Sequence, residues 1–344
     1  MGLDIGSSAV KAIEVKTQGR NGYRVSAYAS EPIPPDTIVD GAVIDAVAVA
    51  DAIRRIFESK RFKGSDVVTS LSGSAVIVKK IALPVMTETE LAESIHWEAE
   101  QYIPFDIQDV NLDYQILDGG GPESGKQVMD VLLVAAKKDK IADYTGVIAQ
   151  AGKTPVIVDV DAFAVQNCYE ANYGSDHAVT VLLNAGASAI NVNIISGDQS
   201  LFTRDISVGG NAYTEAVQKE FGLAFDTAED AKKGVPVEGI HAEDVHNVLR
   251  TVSEGLLLEI QKTFDFFKAT TTAGRIDRIL LCGGASRADG FATLLSERFD
   301  TPVERLNPFK NVAFDAAALG ADAEAAASTA AVAVGLALRK VGDR

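Results

Sequence analysis

The chain has 344 residues and a mass of 36.3 kDa, enough for two cores of ordinary domain size. Hydrophobic residues make up 47%, which excludes a disordered or fibrous class. The formal charge is −16, from 32 basic and 48 acidic side chains. That balance argues against nucleic acid and against direct docking on anionic lipid, since both want a basic face.

The chain opens directly into Gly2-Leu3-Asp4-Ile5-Gly6, which predicts a protein without a secretory leader. An apolar-rich run from Ser8 to Val15, the pair Asn21-Gly22 and a second run over Tyr23–Ala29 predict a hairpin, because Asn-Gly suits the tight turn between two strands. Apolar residues at helical spacing predict a helix over Ala46–Phe57. Val67–Leu71 and Val76–Ile81 read as strands. Thr87 with Glu90 three residues on is a capping box, so a helix opens there; it runs to about Tyr102 and stops before Pro104. Val128–Ala135 reads as a buried strand, Ile141–Ala151 as a helix ended by Gly152, Val156–Val160 as a strand and Ala162–Tyr173 as a helix. In the second half, Ala212–Phe221, Ala228–Lys233 and Ala242–Ala269 are predicted helical, Ile279–Leu281 a strand, Phe291–Phe299 a helix and Ser328–Lys340 the last helix. The uncharged stretch Ala325–Leu338 is too short to span a bilayer and reads as buried helix. Cys168 and Cys282 stand far apart in no CxxC pattern, and the four histidines show no metal-ligand spacing. An intracellular protein that meets membranes only through a partner is the expectation.

Two segments repeat at an offset of 180. Leu3-Asp4-Ile5-Gly6-Ser7-Ser8-Ala9-Val10 matches Leu183-Asn184-Ala185-Gly186-Ala187-Ser188-Ala189-Ile190. Each is followed by an apolar run, a polar turn and a second run, so each half is expected to begin with a three-stranded meander. A tight turn aims backbone N–H groups into one concavity, which suits phosphate oxygens. Gly6 and Gly186 let backbone approach, Ser7, Ser8 and Ser188 add hydroxyls beside Ala187, and Lys11 can bring positive charge. Asp4 suits the water shell of Mg²⁺, a cation that keeps much of its hydration. An ordinary Gly-Ser hairpin, with Asp4 steadying the turn, fits the same residues. Farther on, a strand runs into Gly283-Gly284-Ala285-Ser286-Arg287, flat backbone able to lie against a purine or ribose, although Gly-Gly is also a common plain turn.

Together these segments resemble the actin, sugar-kinase and heat-shock ATPase superfamily, whose five fingerprints map in order. They are phosphate 1 at Asp4 to Lys11, connect 1 at Val158 to Phe163, phosphate 2 at Asn184 to Ser188, adenosine at Cys282 to Arg287, and connect 2 at Ala330 to Leu338. Glu229 and Lys232 are similar to the Glu-x-x-Lys helix that holds adenosine in that superfamily; a solvated helix face explains the pair equally well. The resemblance implies an α/β, two-lobed actin-like (ribonuclease H-like) ATPase fold that binds ATP and Mg²⁺. Trp97-Glu98-Ala99-Glu100-Gln101-Tyr102-Ile103-Pro104-Phe105-Asp106 then resembles a signature of the PilM family of type IV pilus assembly, an FtsA-like branch with an inserted subdomain in the first lobe. For Ile95, Trp97, Ala99, Tyr102 and Ile103, plain core packing is the competing explanation.

That resemblance implies a first-lobe core from 1–32, 153–176 and 311–344, an insertion over 33–152, a second-lobe core from 177–210 and 275–310, and a helical subdomain over 211–274. It implies cytoplasmic placement at the inner membrane through a partner, the N-terminal cytoplasmic tail of PilN, held in a groove between the first subdomain and the insertion. Pilus motor ATPases are further candidate partners, and self-association stays open. The chain departs from the pattern at phosphate 2, where Asn184 replaces the usual Asp. It can still accept a hydrogen bond, so Asp4 and Asn184 are the residues expected at the metal, through water. Phosphoryl transfer depends on positioning and charge, so slow or absent hydrolysis is expected. Asp161 falls where relatives orient the attacking water, or it caps the helix at Ala162. An FtsA-like division or filament protein and a small-molecule kinase of the same superfamily are the alternatives. The ending at Lys340–Arg344, straight after the last helix, speaks against the membrane tail of the first; the lack of a polar substrate cluster speaks against the second.

Overall fold

The computed structural model describes residues 1–19, 22–58, 62–117, 127–174, 176–271, 274–314, 318 and 323–343. Asn21 of the predicted turn lies outside them. In chain order the elements are β1 (Gly2–Ile5), β2 (Ala9–Gln18), β3 (Gly22–Pro32), β4 (Ile38–Val39), β5 (Ala42–Val43), α1 (Ala46–Glu58), β6 (Asp66–Leu71), β7 (Val76–Pro84), α2 (Glu88–Glu100), β8 (Val110–Ile116), β9 (Val128–Lys137), α3 (Lys138–Gln150), β10 (Thr154–Val160) and α4 (Asp161–Tyr173). The second half holds β11 (Val179–Ala185), β12 (Ile190–Ser196), β13 (Gln199–Ile206), α5 (Asn211–Phe221), α6 (Phe225–Lys232), α7 (Ala242–Thr270), β14 (Arg278–Cys282), α8 (Phe291–Phe299), β15 (Val303–Arg305), β16 (Val312–Phe314), α9 (Ala323–Thr329) and α10 (Ala331–Leu338).

Both meanders form. β1, β2 and β3 run antiparallel within a six-stranded sheet of order β10-β6-β1-β2-β3-β16, and β11, β12 and β13 do so within a five-stranded sheet of order β13-β12-β11-β14-β15. Of the segment 33–152, β7, β9 and β8 with α2 form a sheet and core of their own, whereas β6 joins the first-lobe sheet between β1 and β10. The reason is its sequence: Val67–Leu71 is buried on both faces, as a central parallel strand must be. β8 went unread in the sequence although Val110, Leu112, Tyr114 and Ile116 alternate with polar neighbours, the period of a half-buried strand. β15 and β16 have three residues each, too few for any period, and exist because β14 and β3 offer them an edge.

The lobes meet across α4 and α10, which are buried nearly all round and share one core with residues of both sheets. Small side chains allow the crossing. A Cβ at Gly335 would stand 1.7 Å from the Ala164 carbonyl oxygen, so only glycine fits where the two helices touch. The predicted single helix over Ser328–Lys340 is in fact two, α9 and α10, separated at Ala330, where the chain turns past the second lobe and Ser328 accepts a backbone hydrogen bond from Gly283.

Candidate functional site

The two hairpins that repeat in sequence have the same construction. In the first, Asp4 lies opposite Lys11 and Ile5 opposite Val10, and the Gly6 N–H closes the turn on the Ala9 carbonyl at 3.2 Å. In the second, Asn184 lies opposite Asn191 and Ala185 opposite Ile190, and the Gly186 N–H closes on Ala189 at 2.9 Å. The side chains of the matched pairs also touch. Lys11 Nζ donates to Asp4 Oδ2 at 2.9 Å, an ion pair with side chains only 14% and 11% exposed. Against burial, which lowers it, the Asp4 carboxylate holds the Lys11 ammonium above its ordinary range. Asn184 Nδ2 donates to Asn191 Oδ1 at the same 2.9 Å. The two turns face each other, and Ser7 Oγ donates to Ser188 Oγ at 2.9 Å between them.

Two second-lobe segments pack on the Gly186 turn, and a third, α6, lines the cleft beside them. The chain entering α5 lies on it, with the N–H groups of Gly210 and Asn211 donating to the carbonyls of Gly186 and Ala187 at 2.9 and 2.7 Å. This loop lies outside the repeated motif, although Val208-Gly209-Gly210 between a strand and a helix is a usable signal. From the other side Gly283 packs on the hairpin with φ +89°. A Cβ there would stand 2.3 Å from the Ala185 oxygen and 2.7 Å from Asn184 Oδ1. Cys282, just before it, has its thiol pushed up to about 12 by burial and then by Asp4, and donates to Asn184 Oδ1 across 3.8 Å. On α6, Lys232 Nζ reaches Glu229 Oε2 at 2.5 Å and Thr214 Oγ1 at 2.9 Å, while the Thr214 hydroxyl donates to Glu229 at 2.6 Å. Burial raises the Glu229 carboxyl, but the hydrogen bonds from Lys232 and Thr214 hold it below its ordinary value. The pair is locked onto α5 and is not a solvated helix face.

One cleft of about 2110 Å³ is lined by all sixteen residues singled out in the sequence. They are Asp4, Gly6, Ser7, Ser8, Lys11, Asp161, Asn184, Gly186, Ala187, Ser188, Glu229, Lys232, Gly283, Gly284, Ala285 and Arg287. Asp161 does not cap its helix: Val160 holds the cap position, and the Asp161 carboxylate accepts from Ser70 Oγ at 2.5 Å. Burial first, then the nearby Asp4, pushes Asp161 up to about 6, against hydrogen bonds from Ser70 and Ser72. A second, partly buried carboxylate, Asp205 on β13, has no signal in the motif pattern. It accepts from Asn191 Nδ2 at 2.8 Å and from the Gly73 N–H at 2.5 Å, and burial raises it. In the sequence, the second run after the repeated turn reads as Leu201–Arg204, one residue short of Asp205. Among the described residues no group of three or more His, Cys, Asp and Glu is placed to hold a metal directly.

The Trp97 segment divides. Ile95, Ala99 and Ile103 are buried in the core of the three-stranded sheet and Tyr102 packs against it, but Trp97 is 76% exposed, so core packing does not explain the tryptophan. Beyond α2, Pro104 and Phe105 help line a second, smaller groove of about 340 Å³ with Val76, Ile77, Val78 and Val160.

Comparison with known proteins adds family and fold. The family model described as type IV pilus assembly protein PilM matches residues 2–341. The solved structure of a PilM–PilN type IV pilus biogenesis complex matches at 31% identity with a TM-score of 0.87, covering 99% of this chain and 98% of the other. The ethanolamine utilization protein EutJ of Carboxydothermus hydrogenoformans matches at 16% identity and TM-score 0.57, covering 98% of this chain and 88% of its own. MreB5 of Spiroplasma citri bound to AMPPNP matches at 16% and 0.53, covering 97% and 93%. The last two share the fold alone, which is the two-lobed, actin-like one.

Proposed function

The chain belongs to the PilM family of type IV pilus assembly proteins, and on that footing we propose that it is a cytoplasmic, ATP-binding scaffold for the N-terminal cytoplasmic tail of PilN. The observation that carries this reading is its end-to-end likeness to a chain of the PilM–PilN complex. Through that tail it joins the inner-membrane assembly to the cytoplasmic machinery. No helix among the described residues is long and apolar enough to cross a membrane, so attachment through a partner is consistent with the chain.

The cleft supports ATP with Mg²⁺ as the ligand. A Cβ at Gly186 would press within 2.8 Å of the Ala189 oxygen, so the turn keeps its backbone bare toward the cleft. Ser7, Ser8 and Ser188 offer hydroxyls to phosphate, and Lys11 a cation steadied by Asp4. Glu229, Lys232 and the Gly283–Arg287 turn line the same cleft on its second-lobe side, where adenosine would lie. Mg²⁺, when bound, neutralises phosphate charge; Asp4 and Asn184 would hold it through its water shell. Asp161, ionised above about pH 6, can orient a water, but Asn184 brings no charge of its own. Turnover is accordingly slow or absent.

The smaller groove is where we place the PilN tail. β7 is an edge of the three-stranded sheet and β13 an edge of the five-stranded one, and both line the groove. An extended peptide can pair with such an edge through its main chain while apolar side chains enter the groove. Titrating the full chain with a labelled PilN tail peptide, with and without Mg-ATP, tests the reading. Saturable binding at micromolar concentration or below, absent for a scrambled peptide, is expected. No binding in either state would remove the scaffold role and leave family and fold.

A further inference from the structure

The cleft and the groove share a wall. Gly73, Ser74 and Ser207 line both, and Asp205 lines the groove from β13. A polar chain crosses this wall from one lobe to the other. Asn184 Nδ2 donates to Asn191 Oδ1 at 2.9 Å, Asn191 Nδ2 to Asp205 Oδ1 at 2.8 Å, and the Gly73 N–H to Asp205 Oδ2 at 2.5 Å. Gly73 opens the short 3₁₀ turn Gly73–Ala75 that leads directly into β7. Among the described residues Asp205 pairs with no cation, so these two neutral donors are what satisfy it. A largely desolvated carboxylate that loses one such donor is left partly unpaired, at a cost larger than the bond's own net contribution. Movement at either end of the chain is therefore resisted unless the other end follows.

We propose that Asp205 is a positioning residue that couples the nucleotide cleft to the peptide groove, acting through Asn191 on one side and the Gly73 turn on the other. The inference rests on the reading that the cleft takes nucleotide and the groove takes peptide. Nucleotide contact at Asn184 would shift the Gly73 turn and with it the exposed edge of β7.

Amide hydrogen exchange of the segment 72–76 in the full chain, with and without Mg-ATP, tests this directly, with calorimetry of nucleotide and of PilN tail peptide alongside. In the unaltered chain Mg-ATP should change exchange at Gly73 at least about threefold and peptide affinity at least about fivefold, the lower end of ordinary coupling between sites. Asp205→Asn should speed Gly73 exchange about tenfold and abolish the nucleotide response while Mg-ATP still binds. Asn191→Ala should leave Gly73 protected by Asp205 but also abolish the response, which a merely local loss of structure would not do. A full nucleotide response in either variant overturns the proposal, as does a Gly73 turn indifferent to bound Mg-ATP. Failure of Mg-ATP to bind at all sinks the nucleotide reading and this inference with it; calorimetry separates that case from nucleotide that binds without coupling.

Discussion

The first-lobe hairpin and its second-lobe counterpart share backbone, register and turn, yet one holds an ion pair and the other a pair of amides. Repetition has preserved the scaffold and let the chemistry diverge. In the first lobe Lys11 and Asp4 satisfy each other as charges, which fixes them. In the second, Asn184 and Asn191 each keep a spare donor or acceptor, and Asn191 spends its donor on Asp205. The second lobe has a carboxylate after all. It stands two strands away from the expected place and faces the Gly73 turn of the first lobe. Charge in the first hairpin serves local rigidity; neutrality in the second lets the hairpin take part in a longer chain of contacts.

Truncating one partner of each pair would show the sharpest difference. Lys11→Ala leaves Asp4 as a buried charge without its cation, which typically costs about 3–5 kcal/mol. Asn191→Ala, at the matched position, leaves the Asn184 amide unpaired and takes one of two donors from Asp205, but breaks no ion pair, at about 1–3 kcal/mol. Urea denaturation of both variants measures the gap, and equal losses would mean that the two pairs are energetically alike.

Asp161 lines the cleft near Asp4 and reports the charge around it. Its carboxyl is raised by burial and by Asp4 from 3.8 to about 6. The folded chain therefore holds this proton more tightly than the unfolded chain. Well below pH 3.8 the group is neutral in both states and costs nothing. As pH rises from 4 through 6 the folded form loses stability, on the order of 3 kcal/mol when ionisation is complete. Asp161→Asn should remove that slope, so that the variant gains on the unaltered chain from pH 4 to pH 7 and stays level above. Parallel stability curves across that range would show that Asp161 feels no excess negative charge in the cleft.

The sequence made much of this legible because the repeat is a statement about backbone. Gly6 and Gly186, 180 residues apart, mark the two turns, and strand periods around them give the meanders. The glycine loops and Glu229–Lys232 were legible for the same reason: their residue types are chosen by close approach or by helical spacing. What stayed hidden depends on tertiary placement. Nothing local distinguishes Asp205 from a solvated aspartate at a strand end, since its partners lie 14 and 132 residues before it in the chain. Trp97 shows the converse, because a tryptophan among apolar neighbours at helical spacing reads as core and yet faces outward.

Asn184→Asp is the substitution that would make the second hairpin more like the first. The introduced carboxylate cannot donate to Asn191 Oδ1, as Asn184 does now. Asn191 must either turn its Nδ2 toward the new charge and deprive Asp205, or keep Asp205 and leave the new charge facing an oxygen. Each choice leaves one buried carboxylate short of a donor, so a loss of about 1–3 kcal/mol is expected. Adding Asp205→Asn removes the conflict. The amide then at 205 can donate to the flipped Asn191 and still accept from the Gly73 N–H, reversing the direction of every side-chain link in the chain. The double variant should therefore be more stable than Asn184→Asp alone, with a coupling of at least about 1 kcal/mol in a denaturation double-mutant cycle. It should also release phosphate from Mg-ATP at least about tenfold faster than the unaltered chain, because phosphoryl transfer responds to charge and positioning. Additive stabilities would show that Asn191 does not arbitrate between the two sites. Additive stabilities with faster turnover would assign the catalytic deficit to Asn184 alone and leave Asp205 outside it.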